Sequence, residues 1–150
     1  MSLNTDINRL HVYAKSQGLK IQNSNRWQYD NTTRTIYTVY RRQKSITYIC
    51  SFLHELGHSI KYTSPWIPML NATRIPNAVY ISLILDDERR AWDAGLSVLE
   101  SLGMKRYKSE YLRTYAKHYT SYVKALGGMD GMNLAYMSYP YIRGLMAGAA

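Results

Sequence analysis

The chain has 150 residues, 46% of them apolar, which is enough to build one domain around a core of its own. Its apolar stretches are shorter than the roughly 18 residues that a membrane span needs, and its N-terminus lacks the pattern of a secretory signal. The net charge of +9 would allow weak contact with nucleic acid or anionic surfaces. However, the basic residues are scattered apart from Arg41, Arg42 and Lys44, which favours a solvated basic surface.

The only cysteine of the chain is Cys50, so an internal disulfide is impossible. A reducing compartment is the simpler setting for such a chain. We therefore expect the protein in bacterial or viral cytoplasm, with a phage particle as the alternative.

Turn residues and apolar spacing predict an α+β fold that is mainly helical, in a single domain over residues 1–150. A first helix is expected over residues 4–17 and ends at Gly18. Residues 26–40 predict an antiparallel β-hairpin, because aromatic and β-branched residues stand on both sides of the turn at Asn31, Thr32 and Thr33.

The second half of the chain is predicted to be helical. Helices are expected over residues 44–62, 78–102 and 107–126, with a proline-rich loop over 63–77. Gly103 ends the middle helix of the three. The stretch after Pro140 is compatible with a short final helix.

The segment His54-Glu55-Leu56-Gly57-His58 lies within the helix over 44–62. Histidines at i and i+4 lie on the same helix face, so both imidazoles can reach one metal ion. Glu55 is rotated from His54 by roughly 100°, which places it beside the metal, where it can take a proton from an activated water. The alternative is that the two histidines are semi-buried structural residues.

Gly57 is unusual within a helix, because glycine has a helix propensity ~1 kcal/mol less favourable than that of alanine. Its presence predicts that another backbone approaches closely at this point. Cys50 lies on the same face as the two histidines but about 12 Å from His58 along the helix axis, so it cannot share their ion. We expect Cys50 to be a buried core residue.

A zinc site of this type needs a third protein ligand. Glu88 lies at the centre of the apolar face of the helix over 78–102, with Asp87 at the margin, while Asp86, Asp93 and Glu100 are predicted to point away. A carboxylate buried in an apolar face is costly unless it is paired, protonated or bound to a metal. Glu88 is therefore the predicted third ligand and Asp87 the second choice; the alternative for Glu88 is a buried ion pair with an arginine.

With HELGH on one helix and Glu88 on the next, the chain resembles the gluzincin class of zinc peptidases, above all the minigluzincins and ImmA/IrrE-like domains. The likeness covers roughly residues 4–103 and includes the order of helices and hairpin. It implies a zincin-like domain in which His54, His58 and Glu88 bind Zn²⁺ and Glu55 polarises the attacking water. It also implies that the strand RTIYTVY (34–40) lines the cleft and pairs with an extended peptide.

The chain departs from that class near the metal ligands. Gluzincins related to thermolysin have an aspartate four residues after the glutamate ligand, where it orients a histidine, and here that position is Trp92. The carboxylate expected to support a zinc-bound imidazole is therefore unassigned. The residue that stabilises the oxyanion is also open, with His118 and several tyrosines as candidates.

Four tyrosines in the last predicted helix are spaced three or four residues apart: Tyr111, Tyr115, Tyr119 and Tyr122. Such a series can stack on nucleic acid when basic residues are near, but it more often forms the packing face of a helix. We predict that these tyrosines pack against the core.

Together these features predict a zinc metalloendopeptidase that hydrolyses a protein or peptide substrate through a metal-activated water. The alternative is a catalytically silent binding protein with a zincin fold, whose basic surface and tyrosines contact nucleic acid or a protein partner. A phage-particle component with a role in cell-wall cleavage or maturation is a third hypothesis.

Overall fold

A computed structural model of the protein describes residues 1–40, 44–60 and 77–125, without the side chains of 77–83, 122, 123 and 125. Within these ranges the protein is α+β, as predicted, with four α-helices and one three-stranded mixed sheet. The elements in chain order are α1 (Leu3–Ser16), β1 (Lys20–Ser24), β2 (Gln28–Asp30), β3 (Thr35–Val39), α2 (Ile46–Ile60), α3 (Asn77–Ser101), a 3₁₀ turn (Lys105–Tyr107) and α4 (Lys108–Ala125).

The helices begin and end close to the predicted residues. Gly18 and Gly103 follow α1 and α3 with φ angles of 77° and 70°, the left-handed conformation that glycine adopts without strain. The predicted loop over 63–77, except for its last residue, and the C-terminal tail lie outside the described ranges. Across the helices that the structure describes, none combines the length and the apolar composition of a membrane span.

The sheet has the strand order β1-β3-β2. β2 and β3 form the predicted antiparallel hairpin, while β1 pairs with β3 in parallel. β3 is therefore the central strand, and both of its edges are already hydrogen-bonded. The expectation that the strand over 34–40 pairs with an extended peptide is wrong for this reason; β2 is the strand of the hairpin that lies at an edge.

The tyrosines of α4 pack against the core, as predicted, wherever their side chains are described. Tyr111 is fully buried and donates a hydrogen bond of 2.6 Å from its hydroxyl to the backbone carbonyl of Trp92. Tyr115 stacks on the indole of Trp92 with ring centroids 5.3 Å apart, and Tyr119 is buried as well. These contacts hold α4 against α3.

Two glycines bring α2 and α3 together at a distance that no larger residue would allow. A Cβ atom built on Gly57 would lie 1.8 Å from the carbonyl oxygen of Ala91, and one built on Gly95 would lie 2.5 Å from the carbonyl oxygen of Leu53. Both neighbours are backbone atoms, which cannot rotate away as a side chain would. The close approach predicted at Gly57 is thus confirmed, and Gly95 makes the reciprocal contact from the other helix.

We expect Gly57→Ala and Gly95→Ala each to lower the free energy of unfolding by at least about 2 kcal/mol, because overpacking a tight contact typically has a cost of this size. The loss should appear despite the ~1 kcal/mol that alanine gains in helix propensity. Urea denaturation followed by circular dichroism measures it.

Ser97→Ala is the matched control, since Ser97 is an exposed residue of the same helix as Gly95. Its free energy of unfolding should stay within about 0.5 kcal/mol of the wild type, as for most surface substitutions. Glycine variants as stable as this control would contradict the close contact between the helices.

Candidate metal centre

A cavity of about 350 Å³ opens where α2, α3, α4 and the strand β2 meet. Most of the side chains on its wall can bind a metal or transfer a proton. The lining residues are Trp27, Gln28, Tyr29, His54, Glu55, His58, Asp87, Glu88 and His118. The motif on α2 and the predicted acid on α3 therefore face one shared space.

The three predicted ligands converge in this cavity. Nε2 of His54 lies 3.0 Å from Oε2 of Glu88, and Nε2 of His58 lies 3.3 Å from Oε1 of the same carboxylate. One ligand atom from each of the three residues lies within 4.8 Å of the other two. Tetrahedral zinc with bonds of 2.0–2.2 Å separates its ligand atoms by about 3.3–3.6 Å. The observed spacing suits such an ion, and zinc binding itself stays a prediction.

Buried polar atoms without hydrogen bonds are a second sign that the three residues suit a metal. Oε2 of Glu88 and Nδ1 of His54 are buried and have no hydrogen-bonding partner among the described residues. Although Nε2 of His54 is close to Oε2 of Glu88, the two groups are not aligned for a hydrogen bond. A buried carboxylate oxygen left in this state is unfavourable, and a cation held between the ligands would satisfy it.

The alternative partner for Glu88, an arginine, is engaged elsewhere. Arg89 and Arg90 pair with Asp86 at 3.1 Å and 2.9 Å. Asp86 is predicted to point away from the apolar face, yet it is buried, with 7% of its surface exposed. Arginines one turn further along the same helix cover it, an effect that apolar periodicity does not detect. Asp93 and Glu100 are exposed, as predicted.

Electrostatics favour the state that a metal requires in two of the three predicted ligands, Glu88 and His54. Burial raises the pKa of Glu88, but the surrounding imidazoles of His118, His54 and His58 lower it by more, so the carboxyl is ionised. Burial lowers the pKa of His54 to about 4, which leaves this imidazole neutral with a free lone pair at neutral pH. The pKa of His58 is raised, because nearby carboxylates outweigh the effect of burial.

Glu55 stands beside the three ligands and is not one of them. Only 7% of its surface is exposed, and burial raises the pKa of its carboxyl to about 7. His58 and a hydrogen bond with the backbone of Tyr29 act in the opposite direction and keep the rise moderate. A carboxyl group with a pKa near neutrality can both accept and return a proton at that pH, which is what general acid–base catalysis requires.

Asp87, the second choice as a ligand, lies outside the three-residue cluster but close to it. Its Oδ2 is 3.6 Å from Nδ1 of His58, whose other ring nitrogen is the one near Glu88. This distance is longer than a hydrogen bond but short enough for electrostatic support of the imidazole. The carboxylate expected to support a zinc-bound imidazole therefore has a candidate in Asp87, directly before the predicted ligand Glu88.

His118 is the site residue that sequence reasoning left open. Its Nε2 lies 3.7 Å from Oε2 of Glu88, and its ring centroid is 5.1 Å from that of His54. A signal for this placement was present in the sequence, since His118 follows Tyr111 and Tyr115 at i+7 and i+3 on the packing face of α4. Cys50 is fully buried in the core, as predicted.

Comparisons of the chain with models of protein families, with curated proteins and with solved structures found no significant match. The resemblance to gluzincins therefore remains a prediction from the motif and the element order.

We expect the protein to bind one zinc ion per chain and Glu88→Ala to bind far less, because the variant removes the only carboxylate of the three-residue cluster. Elemental analysis after zinc loading and extensive dialysis measures the metal, and circular dichroism verifies that the variant is folded.

Glu100→Ala is the matched control, since it removes an exposed carboxylate from the same helix. This variant should hold as much zinc as the wild type. A zinc content that Glu88→Ala leaves unchanged would show that the ion binds elsewhere.

Proposed function

We propose that the protein is a zinc-dependent metallopeptidase, with His54, His58 and Glu88 as the zinc ligands and Glu55 as the general base. The observation that carries the proposal is the convergence of these ligands beside a buried glutamate on the wall of an open cavity. A purely structural metal site has no need of such a glutamate or of open space next to the metal.

Each group on the cavity wall has a role in this reaction. Zinc bound by the three ligands would polarise the scissile carbonyl and acidify a water molecule. The carboxylate of Glu55 takes the proton of the attacking water and returns it to the leaving amine. His118 also lines the cavity, and we assign to it a hydrogen bond to the carbonyl oxygen as negative charge develops there.

The strand β2 is the part of the sheet best placed to hold a protein or peptide substrate. Gln28 and Tyr29 line the cavity, and the backbone of Tyr29 is hydrogen-bonded to the side chain of Glu55. β2 is an edge strand of the described sheet, and an extended peptide can add to such an edge through backbone hydrogen bonds. We therefore propose that β2, and not the strand over 34–40, binds the peptide.

The wider setting belongs to the same proposal. With its single cysteine buried and free, the chain suits a reducing compartment, so we place the enzyme in bacterial or viral cytoplasm or in a phage particle. Contact with nucleic acid or an anionic surface through the basic exterior would be weak and sensitive to salt.

We expect Glu55→Gln to reduce cleavage of an unstructured protein such as casein by at least about 100-fold, since it removes the proton acceptor. Its zinc content should equal that of the wild type, because Glu55 is not among the ligands. Gel-based cleavage assays on zinc-loaded protein, with elemental analysis of the same samples, measure both quantities.

Glu100→Gln, an exposed glutamate at the far end of α3, serves as the control and should cleave normally. Unchanged cleavage by Glu55→Gln would refute the assigned mechanism. A zinc-loaded wild type that cleaves neither casein nor a mixed peptide library would instead support the catalytically silent binding protein.

A further inference from the structure

Trp92 lies against one of the predicted zinc ligands. Its indole stacks on the imidazole of His54 with ring centroids 4.2 Å apart and an angle of 18° between the ring planes. The indole also stacks on Tyr115, with ring centroids 5.3 Å apart and an interplanar angle of 11°. Trp92 thus stacks on two rings, one of which belongs to a predicted zinc ligand.

The indole occupies a fixed position in the core. Trp92 is 2% exposed, and its backbone carbonyl accepts the hydrogen bond from the hydroxyl of Tyr111. The preceding residue, Ala91, makes the backbone contact with Gly57, one turn after His54 on α2. The backbone around Trp92 is therefore held in place by a contact with α2 and by a hydrogen bond from α4.

Among the described residues, none makes the hydrogen bond to Nδ1 of His54 that usually orients a zinc-bound histidine. Such a histidine normally donates its second ring N–H to a carboxylate, a carbonyl or a water. Nδ1 of His54 is buried without a hydrogen-bonding partner among the described residues, and so is Nε1 of the neighbouring indole. His58 differs, because the carboxylate of Asp87 lies near its Nδ1.

We propose that Trp92 is a positioning residue of the metal centre, whose indole holds the His54 ring by stacking where a hydrogen bond would ordinarily do so. Partial rotation of the imidazole about its χ2 bond would tilt the ring out of its parallel contact with the indole, so the stack fixes the ring plane in which Nε2 faces Glu88. This inference rests on the proposed zinc site and adds the means by which its first ligand is oriented.

The test compares Trp92→Phe, which keeps a flat ring, with Trp92→Leu, which fills space without one. Losing a group that orients a zinc ligand typically weakens metal binding by about 10- to 100-fold, and we expect a loss of this size for Trp92→Leu. Trp92→Phe should stay within about threefold of the wild type, since a phenyl ring can also stack. Competition with a chromophoric chelator measures zinc affinity.

Cobalt substitution gives a readout that depends on the geometry around the metal. The visible absorption bands of the Co²⁺-loaded protein should be retained in Trp92→Phe and should shift in Trp92→Leu. A loss of stability that leaves the ligands in place would not move these bands.

Leu99→Ala separates orientation of His54 from general loosening of the core. Leu99 is fully buried in α3 but lies seven residues beyond Trp92, away from the cavity. This variant should lose about 2–5 kcal/mol of stability, as buried leucines typically do, yet keep the zinc affinity of the wild type.

Two results would overturn the inference alone: Trp92→Leu binding zinc as tightly as the wild type, or Leu99→Ala losing affinity to the same extent as Trp92→Leu. A wild type that binds zinc but cleaves nothing would contradict only the proposed catalysis. A wild type that binds no zinc would overturn the metal centre and this inference together.

Discussion

The candidate site depends on the close contact between α2 and α3. Gly57 lies between the two histidines of α2, and the carbonyl it touches belongs to Ala91, between Glu88 and Trp92 on α3. The same contact that packs the helices therefore sets the carboxylate opposite both imidazoles. A Cβ atom at Gly57 would clash with α3 and push Glu88 away from the two imidazoles. Backbone proximity is therefore a condition for the proposed metal centre.

Three consecutive acids on α3 differ in the side chains that lie opposite them. Asp86 is neutralised by arginines of its own helix, Asp87 faces His58, and Glu88 faces the space between the imidazoles. Among the described residues, Asp86 pairs with arginines, whereas Asp87 and Glu88 are paired with histidines. Because a buried carboxylate needs compensation, Glu88 is the acid of the three that would gain most from a bound cation, as the proposed metal centre requires.

The sequence was informative wherever a local pattern carried the structure. Four features could be predicted because each depends on residues within a few turns. They are the positions of the helices, their ends at glycines, the shared face of His54 and His58, and the burial of Glu88. β1 was missed because KIQNS is mostly polar and shows no apolar alternation. The central position of β3 in the sheet and the position of His118 in the cavity depend on contacts between elements, which periodicity does not encode. The burial of Asp86 depends on the long side chains of two arginines, which periodicity does not encode either.

The site draws on four elements that are distant in the chain, so it exists only when the chain is folded. Without a cation, the folded state holds Glu88 among imidazoles with one buried oxygen lacking a hydrogen bond. A metal that binds this state and not the unfolded chain stabilises the fold. The stabilisation grows with the logarithm of the ratio of free metal concentration to dissociation constant. Zinc would then act as a component of the core as well as of the chemistry. The stacking of Trp92 on His54 and Tyr115 would join the two roles, since it connects a predicted metal ligand directly to the packing of α3 and α4.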